Sequence, residues 1–285
     1  MSGPGQSIDK REARRAFERA ATGYDEAAVL QREIGERLLE RLDYVRLEPR
    51  RILDLGAGTG RAAGALARRY PKARVIAVDF ALSMLRIARR QGPWRRRPRC
   101  ICADVEHLPV ADASFDLIFS NATMQWCTDL EHSFRELLRV TRSGGLLTFT
   151  TFGPDTLTEL RQAWARADGR EHVSSFADMH DVGDALVHAG WAEPVMDVDR
   201  FVLTYETVHT LMRDLKVLGA HNVSAGRHRG LTGKARMQAM IQAYEALRTD
   251  GRLPATWEVV YGHAWAPEQR TEAGVTTVPL SSLRR

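Results

Sequence analysis

No apolar run in this chain of 285 residues is long enough to cross a bilayer. The longest, Gly145-Leu-Leu-Thr-Phe-Thr-Thr-Phe152, falls well short of the ~20 residues that a spanning helix needs, so no membrane partner is expected. The opening Met1-Ser-Gly-Pro-Gly-Gln-Ser7 lacks the apolar core of a secretory signal and leads into a charged helix, so a cytoplasmic protein is expected. Cysteine is scarce. Cys100, Cys102 and Cys127 are odd in number and include no Cys-x-x-Cys spacing, which argues against disulfides and structural zinc; no metal site is expected. On a strand, Cys100 and Cys102 would point to one face, where a free thiol behaves as a small buried hydrophobe.

What remains is ordinary in composition, with 44% hydrophobic and 27% charged residues, as in soluble globular proteins. The length suits one large α/β domain with an elaboration, or two small domains. A net charge of +5 favours an acidic partner. Arginines cluster at Arg11 to Arg19 and in Trp94-Arg-Arg-Arg-Pro-Arg99. Such clusters suit a nucleic-acid footprint, but a solvated helix face and a surface loop account for them more simply.

The most informative segment is Arg51-Ile-Leu-Asp-Leu-Gly-Ala-Gly-Thr-Gly60, followed by Val75-Ile-Ala-Val-Asp79. Ile52, Leu53 and Leu55 form a short buried strand, and Gly56, Gly58 and Gly60 let the backbone turn sharply and approach a ligand closely. Asp79, closing the next strand, is placed to accept from both hydroxyls of a ribose. A dinucleotide fingerprint requires glycine three residues after Gly58, where this chain has Arg61. Asp54 would also repel a pyrophosphate while welcoming an amino group. The pattern resembles motif I of class I methyltransferases, whose S-adenosylmethionine presents an ammonium and a carboxylate to this turn. A tight strand-to-helix turn with no ligand is the bland alternative.

Strands alternate with helices: strands at 51–55, 73–78, 99–102, 115–120 and 145–151, and helices at 60–70, 81–91 and 130–141. A helix near 178–189, a strand over 194–204 and a last strand over 257–265 follow. The expected fold is α/β, a doubly wound, mostly parallel, seven-stranded sheet of the class I methyltransferase type. Residues 1–44 form an N-terminal helical extension, broken at Thr22-Gly23, and 45–204 the cofactor-binding core. Residues 205–254 form a helical insertion, with helices near Val208–Leu218 and Ala235–Leu247, that is placed to act as a lid or serves as a helical decoration that only adds stability. Residues 255–266 return to the core, and the polar tail 267–285 is expected to be disordered.

In a doubly wound fold the cofactor lies between the loops after strands one and four. Asp104, after the third strand, could accept from an adenine amino group while Val105 packs on the ring; the alternative for Asp104 is a turn acid or helix cap. Asn121 and Ala122 offer backbone and side-chain contacts near the methionine part. The loop after strand four lacks the Asn/Asp-Pro-Pro-aromatic run of enzymes that methylate adenine or amide nitrogens. Cys127 is followed by Thr128, so the cysteine next to proline used in base carbon methylation is missing too. Nucleic acid is therefore not the expected acceptor.

Several longer segments carry a closer resemblance. They are Arg19-Ala-Ala-Thr-Gly-Tyr-Asp25 leading into Leu30-Gln-Arg-Glu-Ile-Gly35, and Ser120-Asn-Ala-Thr-Met-Gln-Trp-Cys127. Further on come Phe152-Gly-Pro-Asp-Thr-Leu157, Phe176-Ala-Asp-Met-His-Asp-Val-Gly-Asp-Ala-Leu186, Ala220-His-Asn222 and Arg229-Gly-Leu-Thr-Gly233. Over residues 8–266 the chain resembles the malonyl-acyl-carrier-protein O-methyltransferases, the BioC family. That resemblance implies methyl transfer from S-adenosylmethionine, leaving S-adenosylhomocysteine, to the free carboxylate of a malonyl thioester on acyl carrier protein, at the start of biotin synthesis. It makes Tyr24 the first candidate for an active-site residue, with an aromatic anchor as its plain alternative. Trp126 becomes a wall of the acceptor pocket or a core residue. Arg161, His180, His221 and Arg229 are candidate donors to the malonyl carboxylate. Arg213, Lys216, Arg227 and Lys234 would steer an acidic carrier protein onto a chain expected to act as a monomer. A small-molecule carboxyl methyltransferase of the trans-aconitate type, and a related respiratory complex I assembly factor, share the same motifs and stay open as alternatives.

Overall fold

The computed structural model describes residues 8–170, 172–218 and 233–268. Three helices lead: α1 (Lys10–Ala20), the short α2 (Tyr24–Ala27) and α3 (Val29–Arg41). The alternating core follows as β1 (Arg51–Leu55), α4 (Arg61–Arg69), β2 (Arg74–Asp79), α5 (Leu82–Ala88), β3 (Arg99–Cys102), β4 (Phe115–Ser120), α6 (Leu130–Val140) and β5 (Thr141–Phe152). Then come α7 (Thr158–Ala167), α8 (Met179–His188), β6 (Ala192–Tyr205), α9 (Val208–Val217), α10 (Lys234–Glu245) and β7 (Leu253–Trp265).

The strands form one sheet in the order β3-β2-β1-β4-β5-β7-β6, with β7 antiparallel to both neighbours and the first five strands parallel. Strand β1 carries apolar residues toward both faces, Ile52, Leu53 and Leu55, because both its faces are covered. Side chains alternate between faces: Ile52, Val75, Leu117 and Phe119 belong to a core with α3 and α4, and Leu53, Leu55, Val78 and Ile118 to a core with α6 and α8. The order reverses between β1 and β4, which opens a crevice at their carboxyl ends.

Two elements depart from the sequence reading. No helix is expected from the sequence between the strand at 145–151 and the helix near 178–189, yet α7 forms there, and Leu160, Ala163 and Trp164 at helical spacing bury one face of it. The last strand starts at Leu253 and pairs with β6 along its whole length, from Tyr205↔Leu253 to Ala192↔Trp265, so the insertion is shorter than expected at its end. Helices α9 and α10 share a core with α7 and β7 through Leu211, Leu215, Met240, Tyr244 and Trp257. Helix α9 also touches α2, which brings the insertion to the N-terminal segment. Residues 219–232 and the tail from 269 lie outside the described residues. Among the described residues no helix is long and apolar enough to cross a membrane.

Candidate active site

The three glycines after β1 all have positive φ, +66° at Gly56, +52° at Gly58 and +82° at Gly60, but they do different work. A Cβ on Gly56 would collide with Thr123, and one on Gly60 would lie 2.6 Å from Ala88 Cα. Those two let the turn pack against the loop after β4 and against α5. Gly58 has open space where its Cβ would be, the nearest atom being Tyr24 Cε1 at 3.9 Å. Gly60 therefore shapes the turn from behind rather than lining the cleft.

Asp79 accepts from Gly58 N at 2.9 Å and Ala81 N at 2.8 Å, which ties the acid at the end of β2 to the glycine turn. Burial pushes its pKa up to about 6, against the two amide donors and helped by Glu18. Asp54 is 1% exposed, and its Oδ2 has no partner. Burial raises its pKa to about 7; an Ala63 amide opposes the shift and nearby Asp79 adds to it. A buried acceptor without a donor is a group awaiting one.

The crevice has two compartments. One, of about 660 Å³, is lined by Asp79, Phe80, Met84, Asp104, Val105 and Trp126. The other, of about 1130 Å³, is lined by Gln31, Arg32, Asp54, Thr59, Arg61 and Arg68. Tyr24, Gly56, Gly58 and Asn121 line both, so they form the throat between them. Helix α1 covers the first compartment, with Phe17 meeting Trp126 edge-on at 5.2 Å and Phe80 at 5.7 Å. Burial, then Asp79 and Asp25, push the Tyr24 phenol well above its ordinary range, so it stays protonated at neutral pH.

Asp54, Gly56, Gly58, Asp79, Asp104, Val105, Asn121, Ala122, Tyr24 and Trp126 thus gather in one crevice. Other expected residues do not. Arg161 commits its guanidinium to the carbonyls of Pro154, Thr156 and Ser174, locking the turn before α7. His180 is exposed beside Asp178 at the start of α8. His221, Arg227 and Arg229 lie outside the described residues. Both ends of the Asn121 side chain are bonded to protein, so the loop offers the crevice its main chain instead. Two contributors were missed. Lys10 reaches the first compartment from α1, and Gln31, whose Oε1 is buried without a partner, lines the second. Buried Cys127 has its thiol pushed up to about 12 by burial, which makes it inert. Among the described residues no cluster of His, Cys, Asp and Glu could hold a metal ion.

Sheet order and crevice together define a class I methyltransferase, and the family of methyltransferase domains matches residues 53–149. The fold is shared with a putative methyltransferase from Bacillus halodurans C-125, at TM-score 0.59 and 17% identity over 82% of this chain and 98% of that one. The YcgJ protein of Bacillus subtilis also shares it, at TM-score 0.55 and 16% identity over 81% and 98%. Among sequences, the malonyl-[acyl-carrier protein] O-methyltransferase of Gallionella capsiferriformans is 54% identical over 97% of this chain and 98% of its own. That of Halorhodospira halophila is 52% identical over 99% and 98%. The chain belongs to the malonyl-[acyl-carrier protein] O-methyltransferase family.

Proposed function

We propose that the protein transfers a methyl group from S-adenosylmethionine to the free carboxylate of a malonyl thioester on acyl carrier protein, giving the methyl ester that enters biotin synthesis. The observation that carries the donor assignment is the partnerless, buried Asp54 Oδ2 in one compartment, with Asp79 and Asp104 in the other. The set fits a donor with an ammonium at one end and an adenosine at the other. The acceptor assignment rests on family membership.

When bound, S-adenosylmethionine supplies a methyl sulfonium, an electrophile that needs no metal to activate it. Asp79 would hold the ribose, Asp104 and Val105 the adenine, and Asp54 the ammonium. The Tyr24 ring and the main chain of Gly58 and Asn121, which line both compartments, would hold its sulfur end. A carboxylate with a pKa of about 4 is already ionised at neutral pH, so the chain has no proton to remove, and a protonated Tyr24 is compatible with that. Phe17 and Trp126, which line the first compartment, exclude water there, and alignment supplies most of the acceleration. The insertion between β6 and β7 would close over the acceptor, His221 and Arg229 would bind its carboxylate, and the exposed Arg213, Lys216 and Lys234 with Arg227 would receive the acidic carrier.

The test is transfer of labelled methyl from S-adenosylmethionine to malonyl-acyl carrier protein, malonyl-coenzyme A and free malonate. Base-labile label on the carrier-bound acid is expected. Preference for free malonate would move the protein to the small-molecule carboxyl methyltransferases, and no ester on any acceptor would favour the assembly-factor reading.

A further inference from the structure

Asn121 stands at the throat, yet its side chain is bonded away from it. Its Nδ2 donates to the Gln31 carbonyl at 2.8 Å, and its Oδ1 accepts from Thr150 Oγ1 at 2.8 Å. The same Thr150 hydroxyl accepts from Ala122 N at 2.8 Å. A threonine hydroxyl has one proton to donate, so Thr150 uses both its roles on two successive residues of one loop. Thr150 is itself 0% exposed on β5, and it lines neither compartment.

The opposite side of this network explains a glycine inside α3. A Cβ on Gly35 would come within 2.7 Å of Asn121 Nδ2. Glycine is a poor helix former, and here its lack of a side chain is what lets Asn121 reach the helix backbone. Between these two supports Ala122 takes φ +50°, a conformation that non-glycine residues keep only where the surroundings impose it. The main chain that faces the throat is therefore held from below by Thr150 and from the side by α3.

We infer that Thr150 is a positioning residue for methyl transfer: through Asn121 and Ala122 it fixes the backbone against which the donor's sulfur end is aligned. The inference rests on the donor assignment above. Thr150→Val keeps the shape of the side chain but leaves Asn121 Oδ1 and Ala122 N without their partner in a dry site. Binding of S-adenosylhomocysteine by calorimetry, together with kcat and KM, is measured well below the melting temperature of the weakest variant. Thr150→Val is expected to weaken product binding about tenfold or more and to lower kcat, and Thr150→Ser to restore both to within about twofold. Thr148→Val removes another buried hydroxyl from the same face of β5, outside the network, and is expected to stay within about twofold of wild type. Gly35→Ala presses on Asn121 from the other side; its loss should resemble that of Thr150→Val and not add to it. A Thr150→Val protein that melts earlier but binds product and turns over like wild type would overturn the inference. Failure of the wild type itself to bind S-adenosylhomocysteine would instead defeat the donor assignment.

Discussion

Lys10 and Asp104 are 94 positions apart in sequence, and the Lys10 ammonium lies 2.8 Å from both oxygens of the Asp104 carboxylate. It also lies 2.6 Å from Glu106 Oε2, and Glu106 in turn accepts from Thr128 N, Thr128 Oγ1 and Asp129 N. Burial works against the lysine's charge, but the two carboxylates outweigh it and raise its pKa. At the far end of α1, Glu18 accepts from Leu82 N and Ser83 N at the start of α5, and from the Ser83 hydroxyl. Helix α1 is thus fastened at both ends over the compartment assigned to adenine.

Lys10→Met should lower stability by about 1–3 kcal/mol at pH 7, because it leaves the nearly buried Glu106 short of a partner. Burial tends to raise the Glu106 pKa, but Lys10 and Thr128 bring it below the ordinary value. A depressed carboxyl stabilises the fold above its unfolded pKa and loses that contribution as the pH falls through the folded value. The gap in melting temperature between wild type and Lys10→Met should therefore narrow in acid. An equal gap at pH 7 and pH 3.5 would contradict the ion-pair account.

The ammonium site proposed at Asp54 predicts donor binding that is sensitive to pH. With a pKa of about 7 in the free protein, it must be charged to receive an ammonium, so affinity for S-adenosylhomocysteine should fall about tenfold between pH 8 and pH 6. Asp54→Asn should bind weakly and without this slope. The same acid acts in reverse on the ligand-free protein. Its folded pKa lies above the unfolded one, so its contribution to stability is present below pH ~4 and is lost as the pH rises through 7. Ligand-free Asp54→Asn should melt higher than wild type at pH 8, with the advantage disappearing at pH 4. Calorimetry and thermal melts at matched pH check both signs.

Tyr24 gives a prediction about the rate profile. Its phenol is held well above the usual tyrosine range by burial and two nearby acids, so no limb from a tyrosine base should appear in kcat between pH 8 and 10. Tyr24→Ala should nevertheless lower kcat/KM by about 100-fold, because it merges the two compartments at the throat. A rise in rate through pH 10 that vanishes in the variant would make the phenol a general base after all.

Charge reversal at Arg213, Lys216 and Lys234 tests the carrier-docking reading, since all three are exposed. At low ionic strength the reversed protein should show an increase of about tenfold in KM for the carrier-bound substrate, an effect that salt removes. KM for malonyl-coenzyme A should change far less. An unchanged KM for the carrier-bound acid would place docking elsewhere.

The sheet and its alternation were legible because they are local. Short apolar runs, the positive-φ glycines and an acid at the end of β2 are visible without tertiary information. What escaped depends on contacts between distant segments. Gly60 reads as part of a ligand-binding turn, but its reason is Ala88 on α5. Arg161 reads as a free cation until α7 brings it against three carbonyls. Asn121 reads as a ligand contact until Thr150 and Gln31 take both ends of its amide. Lys10 sits among arginines that suggest only a solvated face, and nothing nearby in sequence names Asp104 as its partner. Helix α7 carries a local signal in Leu160 and Trp164, but one turn of apolar spacing does not by itself mark a helix.

The central claim is methyl transfer to the carboxylate of carrier-bound malonate, and intact-protein mass spectrometry of malonyl-acyl carrier protein tests it most directly. After incubation with the protein and S-adenosylmethionine, the carrier should gain one methyl group that mild base removes as methanol, and carrier bearing an acyl group without a free carboxylate should gain none. An unchanged malonyl-carrier mass from protein that demonstrably binds S-adenosylhomocysteine would contradict the account.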